Sequence, residues 1–182
     1  VSGSFKVDDY LRLADQMAGR SAGRKRPMSA HLRRATSTAY YALFHELVGQ
    51  GTRRAVRGGS DDQRRTVSRW YAHGNFRQTA RWVSAIAAKT SAPDAVTLLL
   101  SSNGHVDADL ALLARTFTTL QRERHTADYD PDYKPTRFDT LGHVTSARLA
   151  VDAARRLDGA NVQAFDMFLL LSLGGERMVR NT

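Results

Sequence analysis

Apolar residues recur at three- and four-residue spacing along almost the whole chain, and no stretch alternates apolar with polar residues as a half-buried strand would. That periodicity predicts an all-α fold, an antiparallel helical bundle of about five to seven helices. The stretch Ala39-Tyr40-Tyr41-Ala42-Leu43-Phe44 is apolar on every side of a helix. A helix without a wet face belongs in the middle of a bundle. The 182 residues make one domain, 1–182, with its core over about 7–158 and an additional C-terminal helix over 161–173.

Capping and breaking residues set the expected boundaries. A first helix covers Val7 to Ala18, and the basic stretch Gly19 to Pro27 is a linker. Ser29 opens a second helix that reaches about Val48, and Gly49 to Gly59 is a flexible loop. Ser60 with Gln63 is a capping box for a third helix ending near Tyr71. Asn75 caps a fourth helix through about Lys89. Residues 90–105 are mostly loop, with Val96 to Leu100 readable as helix or strand. Asp107 starts a fifth helix to Tyr129, a sixth covers roughly Thr140 to Leu157, and the last runs from Asn161 to Leu173.

Composition removes whole classes of function. There is no cysteine, so disulfides, thiol catalysis and thiolate metal sites are excluded. No apolar run, Ala39 to Phe44 and Met167 to Leu171 included, approaches the length that spans a membrane, and Val1-Ser2-Gly3-Ser4 does not begin a secretory signal. A cytoplasmic protein is the expectation. His45-Glu46 begins like a helical zinc-protease motif, but Gly49 stands where the second His is needed. The six histidines show no metal-ligand spacing, and no P-loop or nucleophile elbow is present, so neither a metal nor a cofactor is expected.

The net charge of +9 is unevenly spread: residues 20–81 hold 14 Lys and Arg against three acids. Such a block points to a polyanionic partner, since neutralising phosphates releases counterions. Nucleic-acid phosphate contact is expected from Arg24, Lys25 and Arg26 in the linker and from Arg53, Arg54 and Arg57 in the loop; a solvated, solubilising surface is the plainer alternative. No helix-turn-helix spacing supports a DNA-binding factor.

Two polar stripes interrupt the helical pattern. Arg34, Ser37, Tyr41 and His45 lie three and four residues apart on one face of the second helix. Either they line a site, or they form a buried hydrogen-bonded network. Arg115, Thr118, Arg122, His125 and Tyr129 form a similar stripe on the fifth helix, opposite Leu110, Leu113, Phe117 and Leu120. Arg124 continues the apolar line and is expected to make a structural contact. The last helix, with Phe165 and Phe168 to Leu171, is apolar nearly all round, which hints at a second copy covering it.

The segment Arg33-Arg34-Ala35-Thr36-Ser37-Thr38-Ala39-Tyr40-Tyr41-Ala42-Leu43-Phe44-His45 resembles the second-helix signature of the HEPN superfamily. Leu120-Gln121-Arg122-Glu123-Arg124-His125-Thr126-Ala127-Asp128-Tyr129-Asp130-Pro131 is similar to the Arg-x-x-Ala-Asp-Tyr region on a later helix of the same families. The resemblance implies a homodimeric helical bundle of bacterial toxin–antitoxin or antiphage systems. Many members are metal-independent ribonucleases using Arg, a four- to six-residue spacer and His. Others are RNA- or partner-binding modules, so the partners implied are RNA, a second copy, and an antitoxin or nucleotidyltransferase protein. Aligned on Tyr129, Arg122 takes the motif's Arg position and Ala127 its His position, so the motif is degenerate. His125 with Arg122 is the candidate catalytic pair, and Tyr129, Arg115, Asp128, Arg34, Ser37, Tyr41 and His45 are the candidate site lining. Imidazole and guanidinium would serve as proton acceptor and as partner to the charged phosphorane. The structural alternative has Arg122 and His125 binding Asp128 or the acidic turn Asp130–Asp132.

Overall fold

The computed structural model describes residues 6–20, 27–174 and 176–179. The helices are α1 (Val7–Met17), α2 (Ser29–Ala55), α3 (Asp61–Ser68), α4 (His73–Ala87), α5 (Asp94–Leu100), α6 (Ala108–Tyr129), α7 (Arg137–Gly159), α8 (Gln163–Gly174) and the short α9 (Glu176–Val179). No strand occurs among the described residues, which bears out the all-α reading; a single bridge joins Ser102 to His105. No described helix is long and apolar enough to cross a membrane.

As the apolar run Ala39–Phe44 predicts, α2 is the centre, packing against α1, α6 and α7. Tyr40, Leu43 and Leu47 are fully buried along it. Contacts fix the directions. Ser37 meets Asp128 and Tyr41 meets Arg124, so α2 and α6 are antiparallel. The carbonyl of His73 meets Gln121, and Phe76 packs on Phe117, so α4 is antiparallel to α6 as well. Asp109 pairs with Arg156, which sets α7 antiparallel to α6. It follows that α2 and α7, both flanking α6, run parallel, with Thr36 beside His143 at one end and Glu46 beside Arg155 further on. Phe76 gathers Phe44, Tyr71, Phe117 and Phe168 around it and joins α4 and α8 to the core.

The capping box of Ser60 and Gln63 and the Asp107 cap form as the sequence predicts. Elsewhere the boundaries move. Instead of ending near Val48, α2 continues to Ala55, so Arg53 and Arg54 sit on helix and not in a loop. The cause is packing at Gly51, where an added Cβ would lie 2.2 Å from the Tyr71 hydroxyl. Burial under Tyr71 offsets the roughly 1 kcal/mol that glycine costs a helix interior. Similarly, α4 begins at His73 and not at an Asn75 cap; the Asn75 amide donates instead to the Leu173 carbonyl, 2.9 Å away. Val96 to Leu100 lies in helix α5, with Val96 and Leu100 buried. In α8, Phe165, Phe168, Leu169 and Leu171 are buried whereas Leu170 is 45% exposed.

Candidate anion-binding groove

The polar stripe of α2 meets α6 through one arginine. Ser37 Oγ donates to Asp128 Oδ1 at 2.5 Å, and Asp128 Oδ2 lies 2.7 Å from Arg124 Nε. Arg124 Nη2 donates to the Tyr41 hydroxyl at 2.8 Å, and its guanidinium sits over the rings of Tyr41 and Tyr129. Burial works against the Arg124 charge, but the polar partners Tyr41, Asp128 and Tyr129 outweigh it and raise its pKa. The result is a cation whose position and charge are both held. A sequence reading places Arg124 in a structural contact, and the contact is with the stripe itself.

Beneath lies a second pair. Tyr40 is 1% exposed, and burial raises its pKa well above the ordinary phenol value. Burial, together with Arg124 and His45, lowers the pKa of His73. The Tyr40 hydroxyl and His73 Nδ1 share a hydrogen bond of 2.6 Å. The His73 ring also stacks on Phe44, 3.9 Å between centroids, and its carbonyl accepts from Gln121 Nε2 at 3.2 Å. The first turn of α4 is thereby pinned to α2 and α6.

From that anchor, Arg77 and Arg81 follow one and two turns along α4. Opposite them stand Thr118, Arg122 and His125 of α6, with Arg124 also on the lining. The groove between the two helices has a volume of about 490 Å³. Thr119, Gln121 and Thr126 complete its lining, which contains four arginines, one histidine and no carboxylate. Arg122 pairs with its neighbour Glu123 at 2.8 Å and is 72% exposed. The exposed His125 packs on Tyr129, 5.0 Å between ring centroids.

The structure thus brings together Arg122, His125 and, through ring contact, Tyr129, while Asp128, Ser37 and Tyr41 hold Arg124 behind them. Arg122 and His125 do not bind Asp128 or the turn Asp130–Asp132; Arg124 and Ser37 take Asp128 instead. Arg34 and Arg115 are exposed and lie off the groove lining. Nor does His45 join it: half-buried, with its pKa lowered by burial, it faces a different cavity shared with Asp8, Glu46, Arg53 and Arg155.

The basic contacts expected of residues 20–81 divide three ways. Arg24, Lys25 and Arg26 lie outside the described residues. Arg54 is committed internally, 2.6 Å from Asp158, 2.5 Å from Asp166 and stacked over Phe165, so its charge is already neutralised. Arg53 stands 4.0 Å from Asp158 with its side chain 60% exposed, and Arg57 is exposed.

Sequence reasoning missed Arg77 and Arg81, although His73, Arg77 and Arg81 carry a visible four-residue repeat. It also missed Arg33, which donates to the carbonyls of Ala127, Asp130, Pro131 and Tyr133 and so fastens the end of α6 and the chain beyond it. A guanidinium there faces the negative end of the α6 dipole. Among the described residues, no group of three or more His, Asp or Glu side chains is placed to hold a metal ion. Comparison with protein-family models, with curated proteins and with solved structures finds no match.

Proposed function

We propose that this chain is a HEPN-type RNA-binding protein acting as a metal-independent ribonuclease, in the manner of a toxin of a toxin–antitoxin or phage-defence pair. One observation carries the reading. The carboxylate-free groove between α4 and α6 contains both Arg122 and His125, the pair singled out by the resembling segment. In the reaction, His125 takes the proton of an RNA 2′-hydroxyl as that oxygen bonds to the adjacent phosphorus. The bond from phosphorus to the 5′-oxygen breaks, and the arginines stabilise the charged phosphorane between. Bulk tRNA incubated with pure protein in EDTA tests this: time-dependent cleavage supports it, and intact RNA with no retention on the protein overturns it. A second copy of the chain and an antitoxin or nucleotidyltransferase partner belong to the same reading, resting on the resemblance and, for the second copy, on the exposed Leu170 of α8.

One residue favours a second reading, a non-catalytic binding module. Ala127, which takes the motif's His position when the segments are aligned on Tyr129, is 3% exposed and faces the core. An imidazole there would not reach the groove. RNA bound without cleavage, or an untagged protein co-purifying with the chain, separates this reading from the first.

A further inference from the structure

We propose that α4 supplies the second wall of a phosphodiester clamp, with Arg77 and Arg81 as phosphate ligands opposed to Arg122 and Arg124 of α6. This rests on the groove being the RNA site, and it assigns binding to a helix that lies outside both resembling segments.

The arginines of this bundle are, for the most part, internally compensated. Asp15 takes Arg20 and Arg148, Asp158 and Asp166 take Arg54, Asp8 and Glu46 take Arg155, and Asp109 takes Arg156. Arg77 and Arg81 are not, a condition they share with the exposed Arg34, Arg57, Arg69 and Arg115; what sets the two apart is that they line one groove. Both are exposed, and among the described residues no carboxylate pairs with either. They stand one helical turn apart, a spacing at which like charges destabilise a helix. They also face the Arg122 and Arg124 side of the same groove. Arg122 and Arg124 have their own carboxylates in Glu123 and Asp128, so the uncompensated charge of the groove is that of Arg77 and Arg81, and an anion from outside would neutralise it.

Their placement is not left to a loop. The hydrogen bonds of His73 to Tyr40 and Gln121 fix the start of α4 against α2 and α6. Arg77 and Arg81 share the face of His73, so the same bonds set their register across from α6. Arg124, held by Asp128 and Tyr41, is the fixed cation between the two walls.

The lining also selects the chemistry of the ligand. Protein partners are held mainly by Trp, Tyr and Arg anchors in desolvated pockets, with the aromatic rings supplying the buried area. This groove offers guanidinium, hydroxyl, amide and imidazole groups, with no large apolar side chain. Forked guanidinium donors match phosphate oxygens two at a time, which favours a phosphate ester over an acidic protein segment.

The test uses the full chain, a fluorescein-labelled mixed-sequence RNA read by anisotropy over a salt series, and calorimetry with pyrophosphate and with a polyglutamate peptide. The variants are R77A/R81A, its charge-retaining counterpart R77K/R81K, and R12A on α1, which packs on α2 and α7 away from the groove. The melting temperature of each reports that it folds. R77A/R81A is expected to weaken RNA binding and to lower the log–log salt slope by about 1.4, some 0.7 for each phosphate of a single strand that is no longer neutralised. R77K/R81K should keep most of the slope and lose affinity, and R12A should leave the pyrophosphate isotherm unchanged. RNA binding with unchanged affinity and slope in R77A/R81A overturns the clamp and leaves the RNA reading standing. Pyrophosphate binding that depends on Arg77 and Arg81, in a protein that binds no RNA, retains the clamp and overturns the RNA reading. Polyglutamate bound more tightly than RNA or pyrophosphate, or no binding of any of the three, overturns both.

Discussion

The Tyr40 hydroxyl and Nδ1 of His73 share a hydrogen bond of 2.6 Å, joining the middle of α2 to the first turn of α4. Tyr40 is fully buried and His73 half-buried, so removing the Tyr40 oxygen leaves a partly shielded imidazole nitrogen without its partner. Tyr40→Phe should cost about 1–3 kcal/mol, the range for a buried polar group left unpaired. Tyr41→Phe removes a bond at the groove edge, where the Arg124 side chain keeps 21% exposure and its ion pair with Asp128, and should cost about 1 kcal/mol. Denaturant unfolding of the two variants checks the order; equal losses would contradict it.

Low pH should destabilise the fold before any carboxylate titrates. Burial lowers the pKa values of His45, His73 and His143 below the ordinary 6.5. The unfolded chain therefore takes up protons first as pH falls, and stability rises with pH wherever the unfolded state binds more protons. The penalty is absent above about pH 7 and accumulates as pH falls through 6.5 towards the depressed folded values. Asp109, held below its usual range chiefly by its hydrogen bond from Arg156, adds a further loss only at more acidic pH, where the folded carboxylate is finally protonated. A melting temperature that is flat between about pH 7.5 and 5 would contradict this. His45→Gln should flatten part of the slope.

Arg33 and Arg54 are expected to matter for stability and not for RNA. Arg33→Ala releases four carbonyls at the end of α6, only partly exposed, and should cost about 1–3 kcal/mol. Arg54→Ala leaves Asp158 and Asp166 without their partner and Phe165 without its stacked cation. The melting temperature should fall in both variants, while the salt slope of RNA binding stays at the wild-type value. A slope lowered by Arg54→Ala would return that residue to the phosphate-binding set.

Arg54 also shows where sequence pattern stops being informative. Periodicity is a property of one helix, so it made the all-α class, the central place of Ala39–Phe44 and the two polar stripes legible. Pairing is a property of two helices. The Asp166 carboxylate that takes Arg54 lies 112 residues along the chain, and a basic block read locally counts that cation as free. Gly51 is a similar case: glycine in a string of residues reads as a break, and only the Tyr71 side chain packed against it explains an unbroken α2. Of the candidate site, the α6 half was readable because the second resembling segment, 120–131, runs through it. The α4 half was not, since nothing in a sequence says which exposed arginines face an anion and which face an acid.

Self-association is open to a direct measurement. Leu170 is exposed on an α8 whose other large apolar side chains are buried or half-buried, and the HEPN resemblance implies two copies. Light scattering at micromolar concentration should give about twice the 20.2 kDa of one chain. Leu170→Glu should shift the mass towards one chain without lowering the helical signal. A wild-type mass of one chain at the highest concentration tested would leave the groove to act within a single protomer.

Catalysis is testable at two side chains. His125 and Arg122 line the same groove, His125 packed on Tyr129 and Arg122 paired with Glu123. If His125 takes the 2′-hydroxyl proton, His125→Ala should slow cleavage by about 10²–10⁴, the usual worth of a positioned general base, with RNA affinity nearly unchanged. Arg122→Ala should lower both rate and affinity, because a guanidinium that binds the phosphate in the ground state also stabilises the phosphorane. Breaking its pair with Glu123 costs little stability, since that pair is exposed. Both variants should be assayed in EDTA, on RNA and on a substrate lacking the single 2′-hydroxyl at the cleaved position. The substituted substrate should be bound and left intact by wild-type protein, which ties the rate to 2′-oxygen attack. Wild-type cleavage that His125→Ala matches in rate would remove His125 from the reaction. The imidazoles of His143, beside Thr36, and His45, in its own cavity, would then be the ones to test, and neither shares a wall with Arg77 and Arg81.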